Sequence, residues 1–282
     1  MNYGILENIS DEDYNLLPGL RATVLKQFAR TPLHGYYAEN HPTKSTPALV
    51  LGRALHTLVL QPKVFDQQYY VLTEKLDMRF KESKAILAEI ELKYAKDCIL
   101  KLDDYERIKA MAGAVYGHKL ARKLLESATA VESTLFWNEL GLNHKARLDG
   151  VNKSLRCVFD LKSCQDARLI PFSRDMSKYS YHLQAGHYFA GANAVKLAGE
   201  GKEFEEFYFI AVESKAPYCC AVYLLNLETL MLARTQREDL IIKYRQCKEQ
   251  NKWPGLPEEL QSIGLPAWDM SLIESTDDSD LD

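Results

Sequence analysis

Near residue 128 the apolar residues of this 282-residue chain change their period. Before it they recur every three or four positions, as on one face of a helix. After it they come in short alternating or β-branched runs, as in strands. Ser10 precedes Asp11-Glu12-Asp13, an N-cap followed by first-turn acids, and Pro18-Gly19 ends that short helix. Residues 20–30 place Val24, Leu25 and Phe28 at helical spacing before a stop at Thr31-Pro32. Pro47 opens a helix whose stripe is Leu51, Leu55, Leu58 and Val59 and which Pro62 closes. A short strand is expected at 69–73 and helices at 82–97 and 103–126.

Beyond the change, 129–137, 145–151 and 155–162 read as strands, 179–197 as a helix, 207–212 and 218–225 as strands, and 227–250 as a long helix. Helices, then a strand meander, then a crossover helix and two more strands predict an α/β fold with a helical N-terminal portion. The expected organisation is one domain over 1–270. It has a mainly helical part (1–128), a sheet with its crossover helix (129–250) and a closing segment containing Pro254, Pro257 and Pro266 (251–270). Residues 271–282 are expected to be a disordered acidic tail.

Apolar residues at 46% and charged residues at 26% exclude disorder, collagen and a membrane-spanning protein. No signal peptide opens the chain and no apolar run nears the roughly 18 residues of a membrane span, so a cytoplasmic location away from the membrane is expected. The six cysteines, at 98, 157, 164, 219, 220 and 247, show no CxxC spacing and are expected to be reduced thiols.

The 35 Lys and Arg against 39 Asp and Glu give a net charge of −4, which argues against a generally basic nucleic-acid binder. Five of the acids (Glu274, Asp277, Asp278, Asp280 and Asp282) occupy the last nine residues, so the preceding 273 carry 35 bases and 34 acids, a net of +1. Between 145 and 178 stand eight bases (Lys145, Arg147, Lys153, Arg156, Lys162, Arg168, Arg174 and Lys178) and four acids (Asp149, Asp160, Asp166 and Asp175), a local +4. Such a span is expected to form a basic track, although a solvated basic face has the same composition.

Within it lie Asp149 and, ten residues further on, Asp160-Leu161-Lys162. Asp160 and Lys162 are two apart on one strand and share a face. A two-residue turn after Asn152 would pair 152 with 155 and 149 with 158, setting Asp149 one diagonal step from Asp160, about 7–8 Å away. A loop of odd length would turn Asp149 to the wrong face unless a bulge corrected it. Such a set suits metal-assisted phosphodiester hydrolysis: carboxylates hold Mg²⁺, and a lysine orients the water or meets the developing charge. Alone, the pattern fits equally a surface hairpin with an incidental ion pair. Glu132, on the preceding strand between apolar residues, suits either the same pocket or an exposed strand position. His56, one turn after a Gly52 that permits close backbone approach, suits either a ligand or a core histidine. Gln184 and Tyr188 share a helix face and as a bare pair carry no meaning.

Taken in order, GRALHTLVLQP, VEST, RLDGV, DLKS and YHLQAGHY resemble the motif series of RecB-type nucleases in the PD-(D/E)xK superfamily. With the opening ISDEDYNLLPGL, the RTP segment and the closing WPGL…LPAW, the chain most resembles the RecE-type exonucleases, from about residue 8 to 269. The resemblance implies a restriction-endonuclease-like core, a central mixed sheet flanked by helices. It further implies Mg²⁺-dependent digestion of double-stranded DNA from its ends, with Mn²⁺ as a substitute and two ions per site. Processive 5′-to-3′ action, leaving 3′ single-stranded overhangs for recombination, comes with it, as do a ring-shaped homo-oligomer, a tetramer by preference, and a single-strand annealing protein of the RecT type as partner. A bacterial or phage source is implied as well. Carried over by motif, His56, Glu132, Asp149 and Asp160 would be metal ligands, with the Leu161 carbonyl beside them. Lys162 would handle the attacking water, and Gln184 and Tyr188 would hold the site or the strand. Arg21 and Thr23 stand where the family has a Ser/Lys-rich stretch and, with Arg147, Ser163, Arg168 and Lys178, are candidate DNA contacts. Leu148 departs from the family, standing where its name puts Pro.

Three other readings compete: an endonuclease of the same superfamily, a Cas4-like nuclease, and a nuclease-dead DNA-binding or scaffold protein. An iron–sulfur variant needs four cysteines bracketing the domain, and these six do not bracket it. A dead copy has no physical reason to keep Asp149, Asp160 and Lys162 together.

Overall fold

Capping side chains set the helix starts of the N-terminal part. The structure, a computed structural model, describes residues 3–264 apart from 8, 42–44, 75 and 77–78; the acidic tail lies outside the described residues. After a short strand β1 (Gly4–Leu6), Ser10 Oγ accepts the Asp13 N–H at 3.0 Å and starts α1 (Asp11–Leu16). The next helix, α2 (Ala22–Phe28), buries Ala22, Val24, Leu25 and Phe28. Thr31-Pro32 was expected only to stop a helix, yet it also starts one. Thr31 Oγ1 accepts the His34 N–H, and Pro32 takes the first position of α3 (Pro32–Asn40), where a missing N–H costs nothing. Proline is used in the same two-sided way between α4 (Pro47–Leu60) and α5 (Pro62–Gln68).

The strand expected at 69–73 is β2 (Tyr70–Leu72). It is followed by α6 (Lys81–Glu91), shorter than expected, and pairs in parallel with β3 (Ile99–Lys101). The helix expected over 103–126 is two, α7 (Leu102–Gly117) and α8 (Lys119–Glu126). His118 leaves the helical conformation, and its Nδ1 accepts the Ala121 N–H at 3.2 Å, capping the second.

Five longer strands follow: β4 (Ala130–Glu139), β5 (Leu142–Asn152), β6 (Cys157–Cys164), β7 (Glu206–Glu213) and β8 (Cys220–Leu224). With β1 they form a six-stranded mixed sheet in the order β1-β4-β5-β6-β7-β8, antiparallel throughout except for the β6–β7 pair. The parallel pair requires a crossover. It consists of α9 (Leu169–Lys178), a helix the apolar period does not announce, and α10 (Tyr181–Ala194). The closing helix, α11 (Leu227–Gln250), falls where the sequence predicts it.

Strand alternation sorts the sheet into two cores. Cys157, Phe159 and Leu161 of β6 pack with Leu55 of α4, Ile108 of α7 and Leu124 of α8. Val158 and Cys164 face the opposite core, with Ala185, Phe189 and Ala192 of α10. Each such Phe or Leu, fully buried, contributes ~1.5–3 kcal/mol. A third cluster docks α2 beside the sheet, setting Val24, Leu25 and Phe28 against Leu183, Ile241 and Tyr244. All six cysteines are free, and no helix of the described residues is long and apolar enough to cross a membrane.

The hairpin between β5 and β6 differs from expectation in register but not in parity. Asn152 pairs with Cys157, not residue 155, so the loop is four residues, Lys153 to Arg156, and Arg156 takes a left-handed φ of 53°. An even loop would keep Asp149 and Asp160 on one face if both strands alternated without a break, but the paired ladder ends at Gly150–Phe159, one residue short of both.

Candidate active site

Glu132, Asp149 and Asp160 stand in one row across three neighbouring strands. The pairs Val131–Gly150 and Ser133–Leu148 bracket Glu132 opposite Asp149, and Asp149 and Asp160 are the next positions beyond Gly150–Phe159, the last pair of β5 and β6. Regular pairing fails along this row. Glu132 takes a φ of 48°, and the alternation of β5 shifts phase at Asp149, since Val151, Leu148 and Ala146 all face the same core. The β5–β6 ladder ends at Gly150–Phe159, and the Asp149 carboxylate takes over, its Oδ2 accepting the Leu161 N–H at 2.8 Å. An extended residue directs its N–H and C=O to the same side, so the Leu161 carbonyl faces the same gap.

Two helix layers reach this gap. On α4, His56 Nδ1 lies 3.3 Å from Asp149 Oδ2, and His56, Glu132 and Asp149 offer donor atoms all within 4.8 Å of one another. Two carboxylates and one imidazole suit a hard or borderline divalent cation. The electrostatics agree. Burial raises the Asp149 pKa to about 6 against the opposing pull of His56, and the neighbouring Asp160 adds to the rise, so a positive charge here would be stabilising. Gly52, one turn before His56, is not required for close approach. A Cβ there would sit 3.8 Å from Ser163 Oγ, an ordinary contact.

Asp160 does not join the three-donor group. It is fully buried, its Oδ1 accepts Gln184 Nε2–H at 3.0 Å, and its Oδ2 pairs with the Lys162 ammonium. Gln184 Nε2 also donates to the Tyr188 hydroxyl at 2.8 Å, so the two residues four apart on α10 do meet. Burial raises the Tyr188 pKa well above its ordinary value and keeps the hydroxyl protonated. The remaining amide atom, Gln184 Oε1, accepts Lys26 Nζ–H at 2.6 Å. Lys26 and Tyr181 are site residues that the sequence reading missed. Tyr181 is three before Gln184 and so on its helix face, which was the available signal; Lys26 gave none beyond its place four after Ala22.

The candidate DNA contacts are dispersed. Arg147 donates to Thr134 Oγ1 and to the Ile9 and Ser10 carbonyls and lies over the Tyr14 ring, which ties it to the N-terminal segment. Arg168 is forked on Asp166, and Lys178 rests over Tyr179. Arg21 occupies the N-cap position of α2, Thr23 is exposed in its first turn, and Ser163 faces Gly52. The expected basic track is correspondingly weaker than its composition. Lys145 is buried on the Tyr14, Asn15 and Leu17 carbonyls, Arg156 pairs with Glu205 and Lys162 with Asp160, leaving Lys153, Arg174 and Lys178 as the bases of that span without such a partner among the described residues.

A mixed sheet whose central hairpin carries an aspartate opposite an Asp-x-Lys strand defines the PD-(D/E)xK class of nuclease folds. The chain belongs to the PDDEXK-like domain family of unknown function DUF3799, whose sequence model matches residues 22–266. Among solved structures it is similar to an exonuclease candidate from Eubacterium rectale, with a TM-score of 0.62 at 12% identity, over 94% of this chain and 99% of that one. A second, SSO0001, at 15% identity over 68% of this chain and 85% of that one, has a TM-score of 0.29, too low to support an argument. No curated protein matches the chain in sequence.

Proposed function

We propose that this protein is a metal-dependent exonuclease of the RecE type that degrades double-stranded DNA from its ends. The observation that carries the nuclease reading is the row Glu132–Asp149–Asp160 with His56 on one side and Lys162 on the other. Action on ends is supported by the ordered motif series and by the description of the Eubacterium rectale structure as an exonuclease candidate. The same resemblance supplies Mg²⁺ with Mn²⁺ as substitute, processive 5′-to-3′ polarity, 3′ overhangs, a ring-shaped oligomer and an annealing partner of the RecT type.

His56, Glu132 and Asp149 would hold a divalent cation, and the Leu161 carbonyl faces the same gap. A cation bound there lowers the pKa of a water and screens the phosphate charge. Asp160 keeps Lys162 fixed beside the row, where its ammonium can orient the attacking water or meet charge on the phosphate. Gln184 holds Asp160 in turn, and Tyr188 completes the hydrogen bonds of that amide. The water oxygen loses a proton and bonds to phosphorus, the bridging P–O bond breaks, and the departing oxygen takes up a proton and leaves as a hydroxyl.

A linear duplex labelled at either the 5′ or the 3′ end, digested with Mg²⁺ beside a closed circle, tests the reading. Mononucleotide release from the linear duplex, first from the 5′ label, with the circle intact, is the expected result. Lys162→Ala should lower the rate at least about a hundredfold while the protein stays folded. Cutting of the circle would replace the exonuclease with an endonuclease, and an active Lys162→Ala would move the active site elsewhere.

A further inference from the structure

Lys26 has no part in the residue roles set out above, yet it reaches the heart of the site. It projects from α2, is half-buried, and gives one hydrogen bond to Gln184 Oε1 at 2.6 Å. Its ammonium lies 5.2 Å from the centroid of the Tyr181 ring, on which the Lys162 ammonium also rests, at 5.0 Å. Two basic side chains thus converge on one aromatic ring, while the nearby Asp160 carboxylate is taken by Lys162. Among the described residues no carboxylate lies within ion-pair distance of Lys26. Burial, and then repulsion from Lys162, lower its pKa to about 7, so an anion placed beside it would favour its charged form. Nor is Lys26 needed to orient Gln184, whose amide is already set by Asp160 and Tyr188.

We infer that Lys26 binds a phosphate of the DNA next to the scissile one, so that Lys26 and Lys162 form the anion-binding side of a site whose cation-binding side is His56, Glu132 and Asp149. The inference rests on the nuclease reading and adds a substrate contact to it. Lys26 is one amide group beyond Asp160, on the α2 side, so it meets the strand at a neighbouring linkage and not at the reacting phosphorus. A contact of this kind is made in the ground state and acts on binding more than on the chemical step.

The test compares wild type, Lys26→Met and Lys26→Arg on a linear 5′-phosphorylated duplex. Steady-state kinetics are run with Mg²⁺, and binding is followed by anisotropy with Ca²⁺ across a salt series. For Lys26→Met the expected results are a KM raised roughly tenfold, a kcat within a few-fold of wild type, and a salt slope of binding reduced by about one. Lys26→Arg, which keeps the charge, should keep the slope and guards against a Met variant that fails to fold. A Lys26→Met slope equal to wild type, with the loss confined to kcat, would make Lys26 a support for Gln184 and overturn the inference. A slope lost equally in Lys26→Arg would also overturn it, because the charge would then not be what matters. If wild type neither binds nor degrades the duplex, the nuclease reading itself falls; if wild type does both and only the Lys26 results fail, that reading stands without this contact.

Discussion

Asp149 is an anion held where an anion is costly, and this gives its side chain a measurable signature. Its folded pKa is raised to about 6, against roughly 4 in an unfolded chain. Between those values the folded protein binds a proton that the unfolded chain has released. In EDTA, therefore, the contribution of this group is most favourable below roughly pH 4 and declines as pH rises through about 6. Asp149→Asn removes the charge and keeps an oxygen for the Leu161 N–H. It should be inactive, and in EDTA it should melt a few degrees above wild type at neutral pH, the gap closing as pH falls toward 4. A gap that stays constant with pH, followed by thermal melts, would show that Asp149 is not the group being relieved. How far such residues could be read from sequence depends on what places them. Asp160 and Lys162 are two apart on one strand, so their shared face follows from the pleat. His56 and Glu132 are plausible only within an ordered series, because a histidine on an apolar helix and a glutamate on a strand each have an ordinary explanation. Lys26 was illegible, because its role comes from the docking of α2 on α10, which no local spacing encodes.

At the scale of elements, the β5–β6 hairpin is the part on which the geometry of the site depends. Its strands were legible from alternation, and so was the need for a loop of even length. Its register was not, because a four-residue loop with Arg156 in a left-handed conformation and a two-residue turn leave the same strand pattern. The phase shift at Asp149 was hidden for a related reason: alternation assumes an unbroken strand, and Glu132 opposite it breaks that rule. The helix α9 escaped notice because Leu169 and Ile170 are exposed, so its apolar residues do not mark a buried stripe. One residue holds the hairpin closed beside the site. A Cβ on Gly150 would lie 1.9 Å from Phe159 Cζ, so the buried Phe159 ring occupies the space above this glycine. Gly150→Ala should cost ~1–3 kcal/mol of stability. It should also lower nuclease activity at temperatures where the variant is fully folded, since Gly150 adjoins Asp149 and Phe159 adjoins Asp160. Adding Phe159→Leu should recover part of both losses, a coupling that denaturant melts and a double-mutant cycle would read. Strict additivity of the two changes would place the strain elsewhere.

For the whole molecule, the site is where separate layers are tied together. His56 arrives on a helix packed on one face of the sheet, Gln184 on a helix packed on the other, and Glu132 and Asp149 from the strands between. A cation bound to the first group therefore links α4 to β4 and β5, and anything that binds the folded chain alone stabilises all of it. At a hundred times its dissociation constant a divalent cation adds about 2.7 kcal/mol, which for a chain of this size is roughly 5 °C or more in the melting midpoint. Calorimetry with Mg²⁺ or Mn²⁺ against EDTA should show that rise. The rise should shrink as pH falls through about 6, because the proton on Asp149 competes with the cation for the same oxygens. His56→Ala should reduce it and Asp149→Asn should nearly abolish it, even though Asp149→Asn starts from the higher midpoint in EDTA. The opposite signs are what make the pair decisive. Removing a buried charge stabilises the metal-free chain and costs the loaded chain its ligand, whereas a purely structural aspartate would lower both midpoints together. An undiminished metal effect in a protein carrying both substitutions would mean that the cation sits elsewhere than at the row of carboxylates.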